Sequence, residues 1–372
     1  MKAHNPVTRI LAVLAIMAMS TQSKENCCVA ATANNADTAV TSSAKYKINL
    51  SPAWKAGPKF AYVADDSSKS QTITLGSDGL NVEINILCHL EGQGEVLALG
   101  KNGAVSKVSL TISAMNATVN DKPVVNLPAT GANPQPPFIL APGTVVIVER
   151  NDTGVETFTV NGKPIIGRAV MGKHPQSPVM GGDGRPTYLG SDRYLRMLMD
   201  LDNSPGTDED VFGPKAAVAV GDSWPSSADA RAKLLEAFGG DGDAYRHMAP
   251  ANAAGIDSRQ IVFPATPATM KLESVSGSGY DQKVAVSGIL SLKGLAVPIP
   301  PNPAGPAPTP PMSMDIQNKF NLSCPAATAK GVLTRSSTLT IKQYPTTPAP
   351  PSPTNTGYKS NCELAYTQQY TF

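Results

Sequence analysis

The stretch Phe212–Gly239, FGPKAAVAVGDSWPSSADARAKLLEAFG, joins a strand pattern to a helix pattern through a tight turn. Its small apolar run Ala216–Val220 predicts a buried strand. The dipeptide that begins at Gly221 predicts the turn, and Ser226 or Ser227 is a suitable cap for the helix that follows. The glycine at the end of the stretch can close that helix. We therefore predict that the stretch is a structural junction between the two flanking parts of the chain.

The sequence on both sides of this junction predicts β-strands. Short segments such as Phe60–Val63 and Gln71–Leu75 are rich in β-forming residues, and Lys283–Ser291 alternates apolar with polar residues. The 33 prolines and 31 glycines of the 372-residue chain indicate many turns and edge strands. The predicted fold class is mainly β (α+β), with two antiparallel β lobes joined by a short helical insert. The similar segments Lys107–Ile112 and Ser336–Ile341 leave open whether the lobes are a duplicated unit.

The N-terminus has the pattern of a secretory signal. Lys2 and Arg9 precede the short apolar run Ile10–Met19, and Ser20 lies in a small-residue site suited to cleavage. An extracytoplasmic chain is therefore expected, whether periplasmic, cell-surface or secreted, with no transmembrane helix in its mature part. The predicted domain organisation is a signal peptide over 1–20, a linker over 21–43, an N-terminal β lobe over 44–166, a helical junction with the GDSW turn over 167–258, and a C-terminal β lobe with proline-rich loops over 259–372.

The charge balance excludes one class of partner. The chain has 31 basic and 29 acidic residues, a formal net charge of +2, and only 5% aromatic residues. Nucleic-acid-binding proteins carry clustered positive charge, and single-strand binders add aromatic stacking surfaces. We therefore expect no nucleic-acid partner.

The cysteines predict a covalent link and no metal site. Cys324 and Cys362 flank a proline-rich excursion, and an exported chain allows disulfides, so we predict that these two are bonded. Cys88 lies in a strand pattern and is predicted to be a small buried hydrophobe. Cys27 and Cys28 complete the five cysteines, and none of them forms a C-x-x-C pair or lies near paired histidines. No metal or other cofactor is predicted.

The GDS turn resembles the nucleophile block of GDS-type serine esterases. Such a block would place Ser223 at the start of a helix, near donors for an oxyanion. The resemblance implies a D-x-x-H motif near the C-terminus, whereas the single histidine downstream, His247, follows Ser223 by only 24 residues. A hydrolase that uses Ser223 is therefore kept as an alternative hypothesis, and no catalytic residue is assigned.

Two further patterns favour structural interpretations. The acidic residues between Asp200 and Asp210 lack the EF-hand spacing, so a solvated turn is predicted and calcium binding is left open. The tracts Pro298–Pro311 and Pro345–Pro353 favour polyproline II and predict semi-rigid surface loops. Residues 170–187 show no period and are predicted to be irregular.

The segment Val220–Trp224, VGDSW, between two β-rich halves resembles an uncharacterised family of bacterial secreted proteins with this junction. The resemblance implies the order of the lobes and no activity. We predict an exported, non-catalytic envelope or secreted binding module for a protein, a polymer or an apolar molecule held between sheet and helices. The alternatives are the serine hydrolase and a purely structural envelope protein.

Overall fold

The structure is a computed structural model, and its described residues all belong to one compact unit, Ser43–Phe372. The described residues are 44–50, 54–75, 81–100, 103, 105–126, 139–150, 156–165, 176–180, 186–190, 208–227, 266–277, 282–297, 312–325, 331–346 and 357–372.

These residues form eighteen strands, one short helix and some of the turns that connect them. The strands are β1 (Lys45–Tyr46), β2 (Lys59–Leu75), β3 (Asn81–Leu99), β4 (Val105–Val119), β5 (Lys122–Pro123), β6 (Val125–Asn126), β7 (Val145–Arg150), β8 (Glu156–Val160), β9 (Lys163–Ile165), β10 (Gln176–Met180), β11 (Pro186–Gly190), β12 (Val218–Ala219), β13 (Ser223–Pro225), β14 (Thr269–Ser276), β15 (Lys283–Val297), β16 (Met312–Pro325), β17 (Val332–Pro345) and β18 (Gly357–Thr371). The helix α1 is Asp208–Phe212.

One antiparallel sheet of 13 strands contains most of the fold. Its order is β13-β14-β15-β16-β17-β18-β2-β3-β4-β7-β8-β9, and β5 pairs with β4. The two smaller sheets are β1-β12 and β11-β10-β6. The prediction of a mainly β, antiparallel fold is thus confirmed.

Strands from the two predicted lobes belong to the same sheet. The last strand, β18, pairs with β2 without interruption from Gly357 opposite Leu75 to Thr371 opposite Ala61. The hydrogen-bond ladder therefore runs directly from the C-terminal set of strands to the N-terminal set. The predicted domain boundaries and the duplication stay predictions.

The sheet has one buried face and one exposed face, because side chains alternate along each strand. On β18, for example, Leu364, Tyr366 and Tyr370 are buried, whereas the adjacent residues Glu363 and Gln369 are exposed. The exposed face is mostly polar, as expected for a sheet with one hydrated side, and the apolar Leu87 and Ile289 also lie on it. Phe60, Tyr62, Leu90, Leu110, Phe158, Met270, Leu290, Phe320 and Leu339 are among the side chains of the buried face.

The strands are longer than their sequence pattern predicted. The two short segments at Phe60–Val63 and Gln71–Leu75 are the ends of one strand, β2, whose middle, Ala64–Ser70, reads ADDSSKS. This polar middle has low β-propensity, but it pairs on both sides, with β18 and with β3. Tertiary pairing outweighs local propensity here.

Glycine-containing turns close two hairpins of the large sheet. Gly103 connects β3 to β4 and has a φ of +80°. Asn161 and Gly162 connect β8 to β9 with φ of 47° and 76°, the positive values that a two-residue type I′ turn requires. Residues 176–180 and 186–187, which belong to the segment 170–187 predicted to be irregular, instead pair within strands β10 and β11.

The junction differs from its prediction in one respect. The predicted buried strand Ala216–Val220 is reduced to the two residues of β12, and Val220 is 47% exposed. The chain then turns at Gly221, whose φ is +93°. The oxygen Oδ2 of Asp222 accepts the backbone N–H of Ala219 at 2.8 Å, which stabilises the turn. A turn this close to β12 leaves no room for a longer strand.

The predicted disulfide between Cys324 and Cys362 is wrong. Cys362 lies opposite Ile341, and Ile341 lies opposite Ile316 of β16. Cys324 is eight residues further along β16, so about 27 Å of strand separates its position from the level of Cys362. A disulfide requires Cα atoms within about 7 Å. Both side chains are buried at these separate levels, and Cys88 is buried as predicted.

Other predictions lie outside the described residues. These are the signal peptide and linker, the helix after Ser227, and nearly all of both proline tracts. The tract 298–311 connects β15 to β16, and 347–356 connects β17 to β18. Because Met312 pairs with Pro345, the two tracts leave the sheet from neighbouring positions at the same end.

Candidate functional site

The buried face is closed by the chain's own residues. Helix α1 lies against it, and the ring of Phe212 stacks on Phe320 of β16 with centroids 4.9 Å apart. The indole Nε1 of Trp224 donates to the backbone oxygen of Phe212 at 2.7 Å. The backbone N–H of Leu50 donates to Oε2 of Glu209 at 2.7 Å. These contacts pack α1 and the GDSW turn against the buried face at β16.

The buried face also contains polar side chains, which largely bond to one another. Ser337 donates to Oδ1 of Asn318 at 2.8 Å, and Ser360 donates to Oε1 of Gln343 at 3.2 Å. Buried polar groups are costly unless they are hydrogen-bonded, so these pairs are structural. The other buried polar side chains of the long strands are Asp66, Ser68, Ser313, Arg335 and Gln368.

The exposed face carries a continuous polar row that crosses eight neighbouring strands. We name these residues the polar row, and all of them are exposed or half-buried. Each member lies directly opposite the next in the register of the sheet. In strand order from β14 to β4 the polar row is Lys271, Ser287, Asn321, Ser336, Thr367, Asp65, His89 and Asn116. Neighbouring strands lie about 4.8 Å apart, so the polar row is about 34 Å long.

The charges at one end of the polar row are neutralised locally. Lys271 Nζ donates to Oε2 of Glu273 at 2.8 Å, and Ser287 Oγ donates to Oε1 of the same carboxylate at 2.6 Å. The hydrogen bond from Lys271 has the larger effect and that from Ser287 the smaller one, and both lower the pKa of Glu273. In the middle, Asn321 Nδ2 donates to Ser336 Oγ at 3.4 Å. The centre of the polar row is therefore uncharged and rich in hydrogen-bonding groups.

The other end of the polar row is a histidine between two carboxylates. The Nδ1 atom of His89 lies 2.7 Å from Oδ1 of Asp65 on the neighbouring strand β2. Its Nε2 atom lies 3.0 Å from Oε1 of Glu91 on the same strand. The two carboxylates contact opposite sides of the ring.

Ser223 lies on the edge strand β13, opposite Lys271 of β14, and is exposed. Among the described residues the histidine is His89 on β3, seven positions away in the strand order. A base for Ser223 would have to come from the part of the chain outside the description, where His247 lies. The described backbone gives the GDSW turn a structural task, because Gly221 donates to the oxygen of Leu272 at 2.8 Å.

The acidic segment is described only from Asp208. There Glu209 accepts the Leu50 N–H, and α1 begins. Within the described ranges no group of three or more His, Cys, Asp or Glu side chains is arranged to hold a metal ion. No site residue was predicted from the sequence. The polar row has no sequence signal, because its eight members lie on eight separate strands and come together only through the register of the sheet.

Comparisons with known proteins leave the family open. No model of a known protein family matches the chain, and no curated protein is similar to it in sequence. Among solved structures, OccK2 (OpdF) of Pseudomonas aeruginosa in complex with glucuronate is 5% identical, with 84% of this chain and 97% of that chain covered and a TM-score of 0.19. OpdK of the same organism with vanillate is 7% identical, with 83% and 98% covered and a TM-score of 0.15. The outer membrane protein OmpT of Vibrio cholerae is 7% identical, with 83% and 97% covered and a TM-score of 0.14. TM-scores this low do not establish a shared fold.

In the described part of the chain no helix has the length and apolar character needed to cross a membrane.

Proposed function

We propose that this chain is an exported, non-catalytic binding module that binds a neutral, hydroxyl-rich linear polymer along the polar row. The observation that supports the proposal is the row itself, eight hydrogen-bonding side chains on eight consecutive strands of one exposed sheet face. The buried face is occupied by α1 and by the chain's own side chains, so the exposed face is the extended surface that a large partner can reach.

The chemistry of the polar row favours an uncharged polymer. Its centre consists of Asn321, Ser336 and Thr367, whose amide and hydroxyl groups both donate and accept hydrogen bonds. Their spacing is the regular strand spacing, which suits a partner whose hydroxyl groups also repeat along a line. Polysaccharides have this character. A charged polymer would need clustered charge of one sign, and Lys271 is neutralised by Glu273.

A sedimentation assay tests this proposal. The purified mature chain is incubated with insoluble peptidoglycan sacculi, chitin and cellulose, and the bound fraction is measured after centrifugation. The triple variant Asn321→Ala, Ser336→Ala, Thr367→Ala should bind at least about tenfold more weakly, because three hydrogen bonds of about 0.5–1.5 kcal/mol each are lost. We expect the wild type to sediment with at least one of the three polymers.

The matched control changes another row on the same three strands. Gln317, Thr340 and Glu363 lie opposite one another on β16, β17 and β18, four residues along each strand from the polar row. Their triple alanine variant should bind within about twofold of the wild type, since no direct hydrogen bond of the polar row is removed. Absence of wild-type sedimentation with all three polymers, or equal losses in both triple variants, would contradict the proposal.

A further inference from the structure

His89 is held in a geometry that one protonation state satisfies better than the other. Its two ring nitrogens lie 2.7 Å and 3.0 Å from the carboxylate oxygens of Asp65 and Glu91. A neutral imidazole has one N–H and one lone pair, whereas an imidazolium has two N–H donors. Two carboxylates are acceptors, so only the imidazolium donates to both.

Among the described residues of the neighbouring strands, no charged side chain other than Asp65 and Glu91 lies next to the His89 ring. On β2, Asp65 lies directly opposite His89, and the nearest cation along that strand, Lys69, is paired with Glu83 at 3.3 Å. On β4, the neutral Asn116 lies opposite the ring. Beyond Asp65, β18 presents the neutral Thr367. The group of three therefore has a charge of −1 when His89 is protonated and −2 when it is neutral.

We propose that Asp65, His89 and Glu91 form a proton-operated clamp that ties β2 to β3 when the His89 ring is protonated and loosens when the ring loses its proton. In acid, the imidazolium joins Asp65 of β2 to Glu91 of β3 by two charge-assisted hydrogen bonds. When the proton leaves, one hydrogen bond is lost, and the lone pair of one ring nitrogen faces a carboxylate. The clamp is a property of this pair of strands and does not depend on polymer binding.

The direction of the titration agrees with the geometry. Partial burial lowers the pKa of His89, but the hydrogen bonds with Asp65 and Glu91 outweigh it, so the net pKa is raised above its ordinary value. A raised pKa means that the fold prefers the protonated ring. The stabilisation is fully present below the unfolded-state pKa of about 6.5 and is lost as the pH rises through the folded-state pKa.

An NMR titration of the mature chain tests the clamp at its atoms. The ring signals of His89 are assigned by their disappearance in His89→Gln, and their pKa is measured in the wild type, in Asp65→Asn and in Glu91→Gln. We expect a wild-type value above about 6.5 and a lower value in each variant. A wild-type pKa at or below 6.5, or one that neither variant lowers, would overturn the proposal.

Thermal unfolding tests what the clamp does to the fold. His89→Gln should lower the melting temperature by about 1–2 °C more at pH 5.5 than at pH 8, where the neutral ring donates only one hydrogen bond. Lys69→Met is the matched control, because it removes an ion pair between the same two strands that contains no histidine. Its effect should be equal at the two pH values. An equal loss for His89→Gln at both pH values would overturn the proposal.

Discussion

Trp224 connects the GDSW turn to the buried face of the sheet. Its side chain is 9% exposed, and its indole N–H donates to the oxygen of Phe212, the residue that stacks on Phe320. A tryptophan beside a tight turn and an apolar run has few alternatives to burial, and its buried N–H then needs an acceptor such as a backbone carbonyl.

Truncation of Trp224 is expected to be far more costly than truncation of its neighbour. Trp224→Ala should lower the free energy of unfolding by about 3–5 kcal/mol through the cavity it leaves. Ser223→Ala, at an exposed position, should cost no more than about 1 kcal/mol. Chemical denaturation of both variants measures the difference. Labelling of Ser223 by a fluorophosphonate probe, with loss of labelling but not of stability in Ser223→Ala, would instead support the hydrolase hypothesis.

Glu209 is a second residue whose role the sequence did not show. In the sequence it belongs to the acidic segment for which calcium binding was left open. In the structure its carboxylate accepts the N–H of Leu50, which lies 159 positions earlier in the chain. Burial, followed by the nearby charge of Asp210, raises the pKa of this carboxyl, against the lowering effects of the Leu50 hydrogen bond and Lys47. No sequence pattern indicates a partner at this separation.

Substitutions of Glu209 should separate its hydrogen bond from its charge. Glu209→Ala removes the acceptor of a buried N–H and should cost about 1–3 kcal/mol. Glu209→Gln keeps an acceptor oxygen and removes the charge. Because a raised carboxyl pKa favours folding at low pH and this benefit is lost as the pH rises through the folded-state pKa, the glutamine variant should gain relative to wild type between pH 4 and pH 7. Chemical denaturation across this pH range measures both variants. An equal loss of stability in the two variants at pH 7 would contradict the role of Glu209 as the acceptor of the Leu50 N–H.

At the scale of elements, the strands were predicted where their sequences alternate and missed where they do not. Strand β2 includes Asp65 and Ser67 on the exposed face, and Asp66 and Ser68 on the buried face. Its middle therefore has no apolar alternation at all, and only the pairing with β18 and β3 makes it a strand. Alternation of apolar and polar residues predicts a strand only when its buried face is uniformly apolar. A strand with polar residues on its buried face is therefore not recognised from the sequence.

At the scale of the whole molecule, the two β-rich halves could be predicted, but their connection could not. The sequence contains no local signal that β18 lies beside β2, since paired positions such as Ser67 and Ala365 are 298 residues apart in the chain. The side-chain hydroxyl of Ser67 nevertheless lies 3.4 Å from the backbone oxygen of Ala365. The disulfide prediction failed for the same reason. Cysteines that flank a loop can lie close together, but the register decides whether they do.

The polar row depends on this connection. Thr367 of β18 and Asp65 of β2 are neighbours in the row only because the two strands pair. Without that pairing, the row would be divided into a segment of five strands and a segment of three. The proposed binding surface therefore depends above all on the continuity of the sheet between β18 and β2.

Disulfide cross-linking of the exposed face measures that continuity directly. Ser67 lies opposite Ala365 of β18, and Ala365 lies opposite Thr338 of β17. The double variant Ser67→Cys, Ala365→Cys should form a disulfide on mild oxidation, because paired positions lie about 4.5–5.5 Å apart. The control Ser67→Cys, Thr338→Cys spans two strand spacings, about 9.6 Å, and should not. Mass spectrometry of the linked peptides identifies the disulfides that form. A disulfide in the first variant alone supports one continuous sheet. No disulfide in either variant, or a disulfide in the control alone, would contradict it.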